Sequence, residues 1–154
     1  MNTFSTGERV FLDTSFILNF LFGDKKAVDT LEKLLKTNTV FYVNPTVIGE
    51  LWFQLMANEY AKKHGRYSAY GLRDKVEEVK KALKVLDEFF EVLPGLEVVE
   101  ITERTVELAR DLIDRYNLLP NDAMIMASCI QYGIKKLATF DSDFKRVMEI
   151  EIIP

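Results

Sequence analysis

The chain has 154 residues, 48% of them hydrophobic and 12% aromatic, so it can form one domain with a real core and is not a disordered chain. Its net charge of −4 provides no global attraction to nucleic acid, and its apolar stretches are shorter than the roughly 20 residues of a membrane span. The polar segment Met1–Arg9 lacks the apolar centre of a signal peptide, and the single cysteine, Cys129, excludes an intramolecular disulfide.

We therefore expect a single domain over residues 1–154, located in the cytoplasm and making no contact with a membrane. Strand-like and helix-like segments alternate along it. They are, in chain order, a strand at Val10–Leu12, helices capped by Thr14 or Ser15 and by Asp24, a strand at Val40–Val43, a helix from Pro45, a strand at Leu96–Ile101, a helix from Thr102 to about Tyr116, a helix from Pro120 to Gly133, and strands at Leu137–Phe140 and Ile150–Ile153.

Two features of this pattern bear on the fold. The polar stretch Asn58–Asp74, followed by a helical pattern from Leu72 to Phe90, predicts a helical hairpin that extends the domain around residues 58–91. Strands separated by helices indicate a mostly parallel sheet that is covered on both faces.

Acidic residues lie in or beside the apolar segments of this chain, at Asp13, Glu50, Asp122, Asp141 and Asp143. Two of them follow predicted strands directly, and ligands of parallel sheets bind at the carboxyl ends of strands. Carboxylates in such places are costly unless something compensates for their charge. Hard divalent cations such as Mg²⁺ and Mn²⁺ prefer oxygen ligands and would compensate for it. The pattern therefore predicts an acidic metal site of the kind that acts on phosphates.

Four motifs, taken in order, are similar to those of a known family. They are VFLDTS at Val10–Ser15, PTVIGEL at Pro45–Leu51, LPNDA at Leu119–Ala123 and LATFDSDF at Leu137–Phe144. Together they resemble the PIN domain, and most closely its single-domain ribonuclease toxins of the VapC type. The resemblance covers nearly the whole chain, from about Val10 to Ile153.

The resemblance implies a three-layer α/β/α fold with a five-stranded parallel sheet in the order 3-2-1-4-5. It also implies hydrolysis of RNA phosphodiester bonds with Mg²⁺ or Mn²⁺ as the cofactor. The residues that match the family's acidic quartet are Asp13, Glu50, Asp122 and Asp141, with Asp143 as the alternative fourth acid. Ser15 and Thr139 match its hydroxyl residues, which would bind carboxylates or phosphate. We expect Asp13 and Asp122 to be direct metal ligands.

The resemblance further implies a homodimer and an antitoxin protein that silences the site, and the aromatic region from Trp52 to Phe90 is our candidate for the partner surface. Three alternatives remain open. A phosphatase of the haloacid dehalogenase type would need an acid where Ser15 stands. A PIN-fold nuclease of DNA or of RNA processing, and a catalytically silent PIN-like binding module, would both keep the same fold.

Overall fold

The computed structural model of the protein describes residues 7–154. Most of the segment Met1–Arg9, in which we predicted no signal peptide, lies outside the described residues. Within them, no helix combines the length and the apolar character needed to cross a bilayer.

Five parallel strands form one sheet in the order β3-β2-β1-β4-β5, which confirms the predicted order 3-2-1-4-5. The strands are β1 (Arg9–Leu12), β2 (Val40–Val43), β3 (Leu96–Val98), β4 (Lys136–Ala138) and β5 (Glu151–Ile153). The central strand β1 is apolar after Arg9 because helices cover both of its faces, and Val10, Phe11 and Leu12 are fully buried.

Residues 7–154 contain eight α-helices. They are α1 (Thr14–Leu21), α2 (Lys25–Leu35), α3 (Pro45–His64), α4 (Ala69–Asp74), α5 (Val76–Val79), α6 (Lys84–Val92), α7 (Glu103–Tyr116) and α8 (Pro120–Gln131). Short 3₁₀ segments lie at Lys80–Leu83 and Ser142–Arg146. The predicted cap Asp24 accepts a hydrogen bond from the Ala27 amide at 2.9 Å, as expected for an N-terminal cap.

The first helix departs from the prediction at its cap. Neither Thr14 nor Ser15 caps α1, because both lie inside the helix, and Asp13 is the capping residue. The carboxylate of Asp13 accepts from the Ser15 amide at 3.4 Å. One side chain therefore both starts the helix and faces the end of the sheet.

The region between α3 and β3 is helical, but its breaks differ from the prediction. Gly65 ends α3 in the left-handed conformation (φ 83°), where glycine has no steric penalty. Gly71 lies inside α4 and does not break it. A Cβ at this position would overlap the Tyr60 side chain, so a residue without a side chain fits there. Tyr60, Leu72 and Val79 form a small second core under this segment, and that core is what holds the polar stretch in place.

Three predicted strands are shorter in the structure, and the fifth differs only in beginning at Glu151 instead of Ile150. The third ends at Val98 instead of Ile101, and the fourth ends at Ala138 instead of Phe140. Phe140 packs its ring on Phe16 of α1 (centroids 5.9 Å apart) and so belongs to the core without being part of the ladder. The apolar run therefore continues past the end of the hydrogen-bonded strand. The sequence pattern could not separate residues that pair in the sheet from residues that only pack in the core.

Candidate active site

The pairing of two central strands sets the position of the first acid. Leu12 of β1 lies opposite Ala138 of β4, and the Asp13 amide donates to the Ala138 carbonyl at 3.0 Å. This ladder places Asp13 beside Thr139 at the carboxyl end of the sheet. The sequence prediction that acids after these strands come together here is correct for Asp13 and Asp141, which is two residues after Thr139.

Two hydroxyl groups hold the Asp13 carboxylate. Ser15 Oγ and Thr139 Oγ1 each donate to Asp13 Oδ2 at 2.7 Å. Each hydroxyl in turn accepts a backbone amide, Ser15 from Phe140 and Thr139 from Asp141, both at 3.0 Å. Because an amide can only donate, the hydroxyl protons are directed at the carboxylate. The backbone after β4 therefore orients Asp13 through its Oδ2 atom.

Without a cation, the buried charge of Asp13 destabilises the native protein. Its side chain is only 4% exposed, and burial raises its pKa above the usual 3.8, while the hydrogen bonds from Ser15 and Thr139 act in the opposite direction. Burial is the larger of the two effects. A charge close to Oδ1 would reverse this balance.

Glu50 reaches the site from the first turns of α3, and a buried amide fixes that helix. Asn44 is fully buried; its Oδ1 caps α3 by accepting from the Val47 amide at 3.0 Å, and its Nδ2 donates to Ser128 Oγ at 2.8 Å. Ser128 belongs to α8, the helix that also carries Asp122. Asn44 thus ties together the two helices that supply acids to the site.

The Glu50 carboxylate is half-buried beside Asp13. Thr14 Oγ1 donates to Glu50 Oε1 at 3.1 Å. Burial raises the pKa of Glu50, the hydrogen bond from Thr14 lowers it in part, and the nearby charge of Asp13 raises it further. The negative charge of Asp13 therefore favours the protonated form of Glu50.

The tightest group of carboxylates consists of Asp122, Asp141 and Asp143. One oxygen from each lies within 4.8 Å of the corresponding oxygens of the other two. Asp13 and Glu50 stand outside this group. The structure therefore brings three of the five predicted acids into one cluster and places the other two against it, and our assignment of Asp13 and Asp122 as direct ligands stays a prediction.

Asp122 experiences the field of the whole site. Its pKa is raised from 3.8 to about 6, first by burial and then by the charges of Asp141, Asp13, Glu50 and Asp143, in that order. All five acids therefore form one electrostatic unit, whatever the spacing of their oxygens.

The chain does not neutralise this cluster. Among residues 7–154 the only basic side chain paired with one of the five acids is Arg146, whose Nη2 donates to Asp143 Oδ1 at 3.2 Å. The other four acids have no basic partner in this range, so an additional positive charge close to them would stabilise their ionised forms. Oxygen-rich, anionic and partly buried donor sets of this kind fit Mg²⁺ or Mn²⁺, which take carboxylates together with water.

Three residues that shape the site were missed as functional residues in the sequence. Thr14 was interpreted only as a helix cap, and neither Asn44 nor Arg146 was given a role in the site. Asn44 carried a usable signal, since an asparagine before Pro45 is a strong helix start. Thr14 and Arg146 carried none, because their partners are distant or on a 3₁₀ turn that the pattern did not predict.

Comparison with known proteins places the chain in a family. A family model described as PIN domain matches residues 10–150. The ribonucleases VapC2 and VapC6 of Methanocaldococcus jannaschii are 34% and 37% identical to this chain, over 94% of it and over 93% and 95% of their own lengths. The solved VapBC2 of Rickettsia felis, bound to a DNA fragment from its promoter, has the same fold with a TM-score of 0.66 at 18% identity, covering 94% of this chain and 96% of that one. The chain therefore belongs to the PIN domain family and, within it, to the VapC type.

Proposed function

We propose that this protein is a metal-dependent endoribonuclease that hydrolyses phosphodiester bonds of RNA and serves as the toxin of a toxin–antitoxin pair. The observation that carries the proposal is the cluster of acids at the carboxyl end of the sheet, four of which have no basic partner among residues 7–154. Support for RNA as the substrate comes from the two related proteins that are named ribonucleases and match over nearly their whole length.

The proposed cofactor is Mg²⁺ or Mn²⁺, held by Asp13, Asp122 and Asp141 with Glu50 beside them. When bound, such a cation lowers the pKa of a water molecule and stabilises the negative charge that develops on phosphate. Ser15 and Thr139 contribute by holding the Asp13 carboxylate in place through its Oδ2 atom. Glu50, which accepts from Thr14 at Oε1 and is also hydrogen-bonded by the Asn121 side chain, would orient the attacking water.

We assign the fourth ligand to Asp141 in preference to Asp143. The guanidinium of Arg146 already binds Asp143 Oδ1. Asp141 also raises the pKa of Asp122 more strongly than Asp143 does, as expected of the acid that shares the site more closely with Asp122. Asp141 Oδ1 accepts from the Asp143 amide at 2.9 Å, which fixes its carboxylate and leaves its second oxygen for a ligand.

The partners in this proposal are an antitoxin and a second copy of the chain. Solvent-exposed aromatic side chains cluster on α3 and just after it, with Phe53 and Tyr67 in edge-to-face contact at 6.0 Å and 49% and 46% exposed. Phe53 also lines a cavity of about 500 Å³ that includes Glu50. A protein segment bound there would cover the site. The surface is narrower than the predicted Trp52–Phe90, because Phe89 is buried in the main core.

The function is tested by cleavage of a mixed RNA pool. We expect the wild type to cleave with Mg²⁺ or Mn²⁺ and to stop in EDTA. Asp13→Asn should lose more than about 100-fold in rate, since a metal site contributes several kcal/mol of charge stabilisation. Asp24→Asn is the matched control because Asp24 caps α2 as Asp13 caps α1, and asparagine is an equally good cap.

Two outcomes would contradict the proposal. Undiminished metal-dependent cleavage by Asp13→Asn would show that the site is misassigned or that the activity is a contaminant. A folded wild type that cleaves no RNA with either metal, alone or after removal of any bound protein, would favour a silent binding module.

A further inference from the structure

A pocket of about 170 Å³ opens beside the acidic cluster. Its wall includes Thr139 and Asp141, which belong to the site itself. Two lysines complete it, Lys26 from α2 and Lys145 from the 3₁₀ segment after β4. A nucleic-acid strand with one phosphate at the carboxylates continues on both sides of them, so its neighbouring phosphates come within reach of this pocket.

The two lysines are distinguished from their neighbours by lacking acidic partners. Lys25 pairs with Asp29 at 2.9 Å, and Arg146 pairs with Asp143. Within residues 7–154, Lys26 and Lys145 form no ion pair, and both are exposed. In each pair of consecutive basic residues, Lys25-Lys26 and Lys145-Arg146, one residue therefore forms an ion pair and the other lines the pocket without one.

The pocket continues into a longer groove along α2. A second cavity of about 360 Å³ shares Lys26 and Pro154 with the first and extends to Lys33. Lys33 lies seven residues after Lys26, which is two turns of helix and the same face. The groove thus leads away from Asp141 past spaced ammonium groups, as the path of a phosphate backbone would require.

The chemistry of this groove suits phosphate rather than bases. Its side chains include lysines, the hydroxyls of Ser142 and Thr30, and the carboxylate of Asp29, whose charge is paired with Lys25. Lysine binds phosphate as a point charge. The cavity on the other side of the site is different, since it is lined by Glu50, Phe53, Gln54 and Asn121 without a basic residue. On a chain of net charge −4, local positive charge is needed to hold a polyanion next to five carboxylates.

We propose that Lys26 and Lys145 bind the backbone phosphates that flank the scissile phosphate on the Asp141 side, with Lys33 continuing the same track. This inference rests on the proposed ribonuclease function. Contacts of this kind position the strand and carry no sequence information, so they would contribute to RNA affinity and to its salt dependence without selecting the sequence that is cut.

The test measures the binding of a fluorescein-labelled, single-stranded uridine oligoribonucleotide by anisotropy, in the Asp13→Asn background with Mg²⁺, over a series of KCl concentrations. We expect Lys26→Gln/Lys145→Gln to reduce the slope of log K against log salt by about 1.4, since each single-strand phosphate contact contributes about 0.7. The control is Lys36→Gln/Lys135→Gln, which removes the same charge where strands begin, just before β2 and β4.

Cleavage by the same substitutions in the wild-type background separates the two proposals. We expect a higher KM for RNA with kcat little changed. An equal, small change of slope in both double variants would overturn the lysine track and reduce it to general electrostatics. A wild type that cleaves RNA while Lys26→Gln/Lys145→Gln keeps the full slope would overturn the track alone. A wild type without RNA cleavage would refute the underlying function instead.

Discussion

Charged side chains are paired with opposite charges at one end of the sheet and lie close to like charges at the other. Where the strands begin, Lys136 of β4 lies 2.7 Å from Glu8 and 4.0 Å from Glu151, so opposite charges are paired. Where the strands end, Asp13 and Asp122 have raised pKa values and no basic partner among residues 7–154. The same strands thus carry neutralised charge at one end and accumulated charge at the other.

This difference separates what stabilises the fold from what the site needs. Paired surface charges contribute about 0–1 kcal/mol to the stability of the fold, and they cause no net repulsion. The acids at the other end destabilise the metal-free protein, because burial and mutual repulsion favour their protonated forms. A lysine placed among them would remove that penalty and would also occupy the position that a cation and a phosphate require.

The largest expected effect follows from supplying the missing charge. Saturating Mg²⁺ or Mn²⁺ should raise Tm by about 5–10 °C, because a ligand at 100 times its Kd stabilises the native state by about 2.7 kcal/mol and a domain of this size gains about 2–4 °C per kcal/mol. Differential scanning fluorimetry against EDTA measures this. A Tm that does not move with either metal would mean that the acids form no cation site.

The next effect concerns the hydroxyls that hold Asp13. Ser15→Ala and Thr139→Val should each reduce metal affinity and cleavage rate by about 10–100-fold, as groups that orient a metal ligand do. Both remove a 2.7 Å hydrogen bond to Asp13 Oδ2. Thr37→Val, an exposed hydroxyl before β2, is the control and should change neither. Equal metal affinity in all three variants would refute the orienting role.

The smallest effect contrasts the two ends directly in metal-free protein. The pKa of Asp122 is about 6 when folded and near 3.8 when unfolded, so the native state binds the proton more tightly and the free energy of unfolding falls as pH rises from about 4 to about 6. Asp122→Asn should therefore raise Tm at about pH 8 by about 2–4 °C, for roughly 1 kcal/mol, and the gain should vanish near pH 4.

Lys136→Gln at the other end should do the opposite, lowering Tm slightly because it removes a paired charge. Thermal melts of both variants in EDTA across pH make the comparison. A destabilised Asp122→Asn variant at about pH 8 would show that repulsion at the site is weaker than the structure indicates.

Much of the fold was predictable because its signals are local. Apolar residues marked the five strands, although Glu97 interrupts the third and Glu151 the fifth, and Pro45, Thr102 and Pro120 marked helix starts. The errors arose where tertiary contacts override local signals. Gly71 reads as a helix breaker, yet it is required within α4 by the approach of Tyr60. The length of the fourth strand was overestimated because Phe140 is apolar for packing on Phe16 and not for pairing.

The site was predictable in its members and not in its geometry. By itself, the sequence determined that acids follow buried strands and open helices, because burial patterns and strand ends are encoded by neighbouring residues. The tertiary structure decided which of them meet, since Asp122 at the start of α8 and the two acids that follow β4, Asp141 and Asp143, come within 4.8 Å of one another only in the folded chain. It also decided which charges stay unpaired. Within residues 7–154, Arg146 pairs with Asp143 on a 3₁₀ segment that the sequence pattern did not predict, while Lys26 and Lys145 form no ion pair and line one pocket. Residues from separate segments meet at such a pocket only through the packing of the chain, which spacing along the sequence does not specify.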